Sequence, residues 1–191
     1  MSAAPALAAL RERLRWGADL GALHDGPRRY LMMRPDVLMG AVARLPAMAQ
    51  REMFEALAAS TREHGADSLR AYAASVGGDA GALMAATAQA AADLGWGVWS
   101  LQHEEEVLHL TVSSSPFAAG WPCGEPALQR ALTTSRPKQP LRAGQPVCAP
   151  IRGMLEALAG IVLGTRATAV ESECVACGAA SCRFTALRAV T

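Results

Sequence analysis

Apolar residues recur at helical intervals through the first half of this chain and alternate along short stretches in the second. The spacing predicts a helix over residues 5–18. The apolar run at 30–33 reads as a strand or as the entry to a helix. Pro35 suits the first turn of a helix reaching about Ala43, and Pro46 opens another that reaches about Glu63. On that second helix Met48, Phe54, Leu57 and Ala58 share one face. A further helix is expected over 67–75, ended by Gly77 and Gly78. Asp79 is placed to cap an alanine-rich helix running to Leu94, whose small side chains permit close packing.

At Gly95 the period changes. Residues 97–102 and 107–112 alternate and frame the polar turn His103-Glu104-Glu105-Glu106, which predicts a β-hairpin. Residues 113–126 read as loop, 127–133 as a short helix and 135–144 as loop again. Ile151, Leu155, Leu158 and Val162 fall on one side of a helix that Gly164 stops. Residues 167–174 and 181–188 then read as two strands around a cysteine-rich turn. Helices first and a mixed half afterwards make an α+β chain, divided at 1–94 and 95–191.

Composition narrows the function classes. Hydrophobic residues at 51% and charged ones at 18% describe a folding chain, and 191 residues are enough to bury a core. A net charge of +1 without a basic block gives no support to nucleic-acid binding. No basic segment precedes an apolar run at the N-terminus, and residues 81–94 are too short and too weakly apolar to span a bilayer. The expectation is a cytoplasmic chain without membrane attachment. Five cysteines in that setting favour metal or thiol chemistry over disulfides.

The tail carries Glu171, Glu173, Cys174, Cys177 and Cys182, and Cys148 stands upstream where a helix opens. Both ends of a turn and a helix start can converge on one point, and zinc takes four ligands from thiolate, imidazole and carboxylate. Cys174 and Cys177 alone are a weak signal, since no strand-then-helix pattern leads into them as a redox motif needs and no second such pair completes a zinc ribbon. From the residues, either a carboxylate or Cys177 completes the set with Cys148, Cys174 and Cys182.

Pro146-Val147-Cys148, a helix holding Gly153, then Val170-Glu171-Ser172-Glu173-Cys174 and Ser181-Cys182-Arg183-Phe184 resemble the 4-vinyl reductase domain family. That family includes predicted hydrocarbon-binding proteins, the bacteriochlorophyll 4-vinyl reductase protein and sensor domains of aromatic-responsive bacterial regulators. The clear resemblance spans about 95–187. It implies a Zn2+ ion held by Cys148, Glu171, Cys174 and Cys182, stapling a C-terminal hairpin beneath the helical half. Three thiolates and a carboxylate leave no position for water, so such a zinc is structural. Arg152 and Arg183 are candidates to offset its charge, while Cys123 is a bystander in a loop.

Trp96, Trp99, Phe117 and Trp121 gather near the helix–hairpin junction although aromatic residues are only 5% of the chain. Trp96, Trp99 and Phe117 are therefore nominated as the wall of a pocket for an apolar or aromatic molecule. His103 and His109 read as surface residues of the hairpin. The resemblance implies a His and Trp pair that grips a phenol hydroxyl, and no such pair is matched here. Three functions stay open: a sensor or carrier, an accessory or reductase-related protein of tetrapyrrole biosynthesis, and a non-catalytic interaction module. A dinucleotide fingerprint, a phosphate loop and a nucleophile-and-base arrangement are all lacking, which argues against an enzyme. The family's sensors dimerise, so a homodimer through the helical half is expected.

Overall fold

The computed structural model describes residues 8–122 and 142–189. The readings of Cys123 and of residues 127–133 lie outside these. The chain opens with α1 (Leu10–Arg13) and a three-stranded antiparallel sheet of β1 (Arg15–Gly17), β2 (Ala22–Asp25) and β3 (Arg28–Tyr30). The continuous helix expected over 5–18 is therefore corrected to one short turn followed by a strand. Gly17 and the left-handed Gly21 flank a tight 3-10 turn, Ala18–Leu20, that folds β1 back on β2. Arg13 then clamps Asp25 with two hydrogen bonds, Nε to Oδ1 at 3.1 Å and Nη2 to Oδ2 at 2.8 Å.

Pro35 opens α2 (Pro35–Ala43) and Pro46 caps the next helix, as their fixed φ favours. The two helices expected over 47–63 and 67–75 are one, α3 (Ala47–Ser75). Gly65, in the gap between them, meets a neighbour: a Cβ there would stand 2.8 Å from Met154 Cε. Its lack of a side chain serves close approach, not a break. Gly77 and Gly78, both at positive φ, end α3 and reverse the chain into α4 (Ala80–Asp93). Asp79 caps α4 by accepting from the Ala82 N–H at 2.6 Å.

The hairpin of β4 (Val98–Glu104) and β5 (Val107–Ser113) follows, closing on a two-residue turn with Glu105 at φ 53°. Within the segment read as loop, Ser115 caps a short helix, α5 (Pro116–Gly120), by accepting from the Ala118 N–H. The last elements are α6 (Ala149–Val162), β6 (Ala167–Glu173), a 3-10 turn (Val175–Cys177) and β7 (Cys182–Arg188). The second sheet runs β4-β5-β7-β6, antiparallel throughout. One of its faces is buried, with Trp99, Leu108, Leu110, Val112, Phe184 and Ala186 among the enclosed side chains.

Helix α6 lies in the core, packed on that sheet and on α3. The contact with α3 is a backbone contact: a Cβ at Gly153 would stand 2.1 Å from the Ala58 carbonyl oxygen. The buried Glu156 ties three elements together. Its Oε2 accepts from Arg62 Nη1 at 3.0 Å, and its Oε1 from the Ala169 N–H at 3.2 Å. A buried carboxylate is tolerable only when satisfied in this way.

Candidate functional site

Period-two alternation decides which side chains of the β6–β7 hairpin meet α6. Ala167, Ala169 and Glu171 are buried on β6, and Cys182, Phe184 and Ala186 on β7. The pairing shifts between Glu171 and Glu173, a bulge that turns the chain before Cys174. Cys148 caps the N-terminus of α6 above this point, fully buried. The result is a group of four buried side chains, Cys148, Glu171, Cys174 and Cys182, whose donor atoms all lie within 4.8 Å of one another. The Cys148 sulfur stands 3.6 Å from that of Cys182 and 4.0 Å from that of Cys174.

The carboxylate is half satisfied. Glu171 Oε2 accepts from the Cys148 backbone N–H at 2.9 Å, while Oε1 is buried without a hydrogen-bond partner. Ser115 Oγ lies 3.1 Å from the Cys148 sulfur, and the Val175 N–H donates to the Cys182 sulfur at 3.4 Å. Cys148 is pushed far above the ordinary thiol range by sharing its proton with Cys174 and Cys182, and burial adds to this. Cys174, accepting from both of them, is held far below that range. At Cys182 the contact with Cys148 pulls downward, but Cys174 and burial outweigh it and leave the thiol at about 12. Burial pushes the Glu171 carboxyl up to about 8, and Cys174 raises it further. Alone, the cluster therefore concentrates its negative charge on Cys174. Ionising all four groups requires a cation among them, and four convergent soft and hard donors could bind a metal ion.

Cys177 is not part of this group. It sits half-buried on the 3-10 turn, where its N–H donates to the Cys174 carbonyl at 2.9 Å. Glu173 is exposed and pairs with Arg183 at 3.4 Å. Arg152 is engaged by Glu55 at 2.8 Å and Glu156 at 3.8 Å. Both arginines expected to offset the cluster's charge thus have carboxylates of their own.

A cavity of about 550 Å³ opens between α3, α4, β3 and the start of β4. Trp96 and Trp99 line it. Trp99 is buried and its indole N–H donates to the Trp96 carbonyl at 3.2 Å. Phe117 stands behind this wall: its ring meets Trp96 edge-on, centroids 5.4 Å apart, and it does not line the cavity. Trp121 packs against Phe54, centroids 6.0 Å apart. His103 and His109 lie away from the cavity on the hairpin, bonded to the Glu105 carbonyl and the Thr185 hydroxyl.

The histidine that does line the cavity is His64, on α3 with Thr61, Gly65, Ser68 and Tyr72. These five recur at intervals of one, three or four residues, so they lie along one stripe of the helix. A helix stripe of small and polar residues, where a core face would carry leucines, was the available signal. Arg28 and Tyr30 reach the cavity from β3, a strand hidden in the span between the expected helices.

Residues 136–188 match the family model of the vinyl-4-reductase domain, also written 4-vinyl reductase domain. No curated protein matches the chain. Among solved structures, the chain is similar to the phenol-responsive sensory domain of the transcription activator PoxR with phenol. The TM-score is 0.68 at 17% identity, over 94% of this chain and 86% of that one. Weaker likenesses join it to a vinyl-4-reductase family protein from Methanocaldococcus jannaschii (TM-score 0.47, 11% identity, 84% and 98% covered). Another is trafficking protein particle complex subunit 3 from Naegleria fowleri, covalently bound to palmitic acid (0.46, 11%, 82% and 95%). Helices and sheets here are arranged as in the first of these, and over residues 136–188 this chain carries a vinyl-4-reductase domain.

Proposed function

We propose that this chain is a zinc-stapled small-molecule-binding domain, a sensor or carrier for an apolar or aromatic ligand. The observation that carries the reading is the cavity of about 550 Å³ walled by Trp96 and Trp99, within the size range of ligand pockets. The shared fold with a phenol-responsive sensory domain supports it. Cavity and cluster draw on both parts of the chain: residues 1–94 supply α3 and α4, and 95–191 supply the tryptophans and the metal-binding hairpin. Direct contact would come from Trp96 and Trp99, with Phe117 fixing the Trp96 ring.

Zinc is the metal we assign to Cys148, Glu171, Cys174 and Cys182. Around a tetrahedral zinc about 2.3 Å from each sulfur, the sulfurs stand about 3.8 Å apart. The observed separations of 3.6 and 4.0 Å bracket that value. The unpartnered Glu171 Oε1 is the buried polar atom that such an ion would satisfy. With four protein donors the ion stabilises the hairpin, performs no chemistry and leaves the domain non-enzymatic. Among the described residues no helix is long and apolar enough to cross a membrane, and we place the chain in the cytoplasm. A homodimer through the first half completes the proposal, since Trp16, Leu20, Leu31 and Met32 are exposed there.

Thermal shift against a panel of aromatic and aliphatic compounds tests the binding reading. A ligand should raise the melting temperature by mass action and perturb tryptophan fluorescence. Trp99→Ala should weaken it without changing metal content. A panel that shifts nothing would transfer the fold to the interaction-module reading.

A further inference from the structure

The cavity is electrically one-sided. Among the described residues its wall contains Arg28, Arg29 and His64 and no aspartate or glutamate. Alternation along β3 turns Arg28 and Tyr30, both half-buried, to one face and leaves Arg29 exposed on the other. The acid closest to Arg28 in the ladder is Asp25, directly opposite it, and Asp25 is already clamped by both arms of Arg13. Two cations thus share one carboxylate. Neither Arg28 nor His64 forms a salt bridge among the described residues.

The cation is also confined to one end. Arg13 reaches Asp25 on β2 and the Tyr72 hydroxyl on α3, which seats the β2–β3 hairpin against the C-terminal part of that helix. Met154 packs at Gly65, about two turns nearer the helix start. Because α4 returns antiparallel from the Gly77-Gly78 turn, Leu94 and the tryptophans after it lie toward this second end. From Thr61 to Tyr72 the cavity follows roughly 16 Å of helix, apolar and aromatic at one end and basic and phenolic at the other.

We propose that the ligand of this cavity is an apolar or aromatic carboxylate, its body against Trp96 and Trp99 and its head opposite Arg28. A guanidinium without a carboxylate of its own, at the rim of an apolar cavity, favours an anion over a neutral hydroxyl, and its fork matches a carboxylate. This assignment rests on the small-molecule reading of the cavity and specifies its ligand class.

The test compares matched pairs, 3-phenylpropionate with 3-phenylpropionamide and octanoate with octanamide, by calorimetry on the full chain. The carboxylate should bind about tenfold tighter than its amide, and the gap should narrow as salt rises. Arg28→Gln should abolish the preference while leaving the amide's affinity and the ligand-free melting temperature unchanged; Arg28→Lys should restore part of it. Amides that bind as tightly as the acids, or an Arg28→Gln protein that keeps the preference, would overturn the assignment and leave the small-molecule reading standing. If neither member of any pair binds, this assignment falls and the small-molecule reading falls with it.

Discussion

Trp99 and Cys182 stand in one cross-strand row of the second sheet, with only Val112 between them. Trp99 walls the cavity and Cys182 belongs to the four-residue cluster, so the two sites share a rigid strip about 10 Å wide. Removing the metal, by chelation or by Cys182→Ala, should therefore disturb the cavity as well as the hairpin. We expect the melting temperature to fall by more than about 10 °C, because a metal site assembled only on folding contributes its binding energy to stability. Tryptophan emission should shift in the same titration. A chelated protein with unchanged emission and melting temperature would show that the cluster holds no structural ion.

The two carboxylate and thiol alternatives separate cleanly. Glu171→Gln should lower metal content from one ion per chain toward zero, since Oε1 is aimed into the cluster with nothing else to satisfy it. Cys177→Ser should keep the ion, because Cys177 lies outside the group of converging donors. Elemental analysis of both purified variants decides the matter, and the opposite pattern would return Cys177 to the ligand set.

Acid should loosen the N-terminal sheet first. The two hydrogen bonds from Arg13 hold the Asp25 carboxyl below its ordinary value of 3.8, against the opposing pull of burial. A carboxylate depressed by folding contributes stability that is present above its unfolded value and disappears as pH falls through its folded value. Hydrogen exchange should thus show β1–β3 opening as pH drops below about 4 while α6 and β7 stay protected. Asp25→Asn should open the same strands at neutral pH, at a cost of roughly 1.5–3 kcal/mol for a hydrogen bond to a charged group.

Gly153→Ala tests the helix contact. The added methyl has no room, standing 2.1 Å from a carbonyl oxygen of α3, so α3 and α6 must separate. Denaturant unfolding should report a loss of at least about 1–3 kcal/mol, the usual range for overpacking a core. Gly65→Ala should cost less, because the atom it meets is the mobile end of Met154.

Local rules were written plainly in the chain. Pro35, Pro46 and Asp79 announced helix starts, Gly77-Gly78 an end, and alternation the strands of the second sheet, because each depends on backbone preferences of a few neighbouring residues. The spacing of Cys148, Glu171, Cys174 and Cys182 was legible through a family resemblance, and the tertiary structure gathers those four side chains. What the sequence concealed were features made by distant partners. Gly65 looked like a break in a helix until Met154, eighty-nine positions on, filled the space beside it. Strands β1–β3 are held by Arg13, Asp25 and Tyr72 together, across 59 residues, and three-residue strands carry too little periodicity to betray themselves. The cavity belongs to this class as well. Trp96 and Trp99 could be nominated from their clustering, but Arg28 and His64 meet them only where α3, α4 and the first sheet converge. A void is set by how elements pack, and no single segment encodes the space between them.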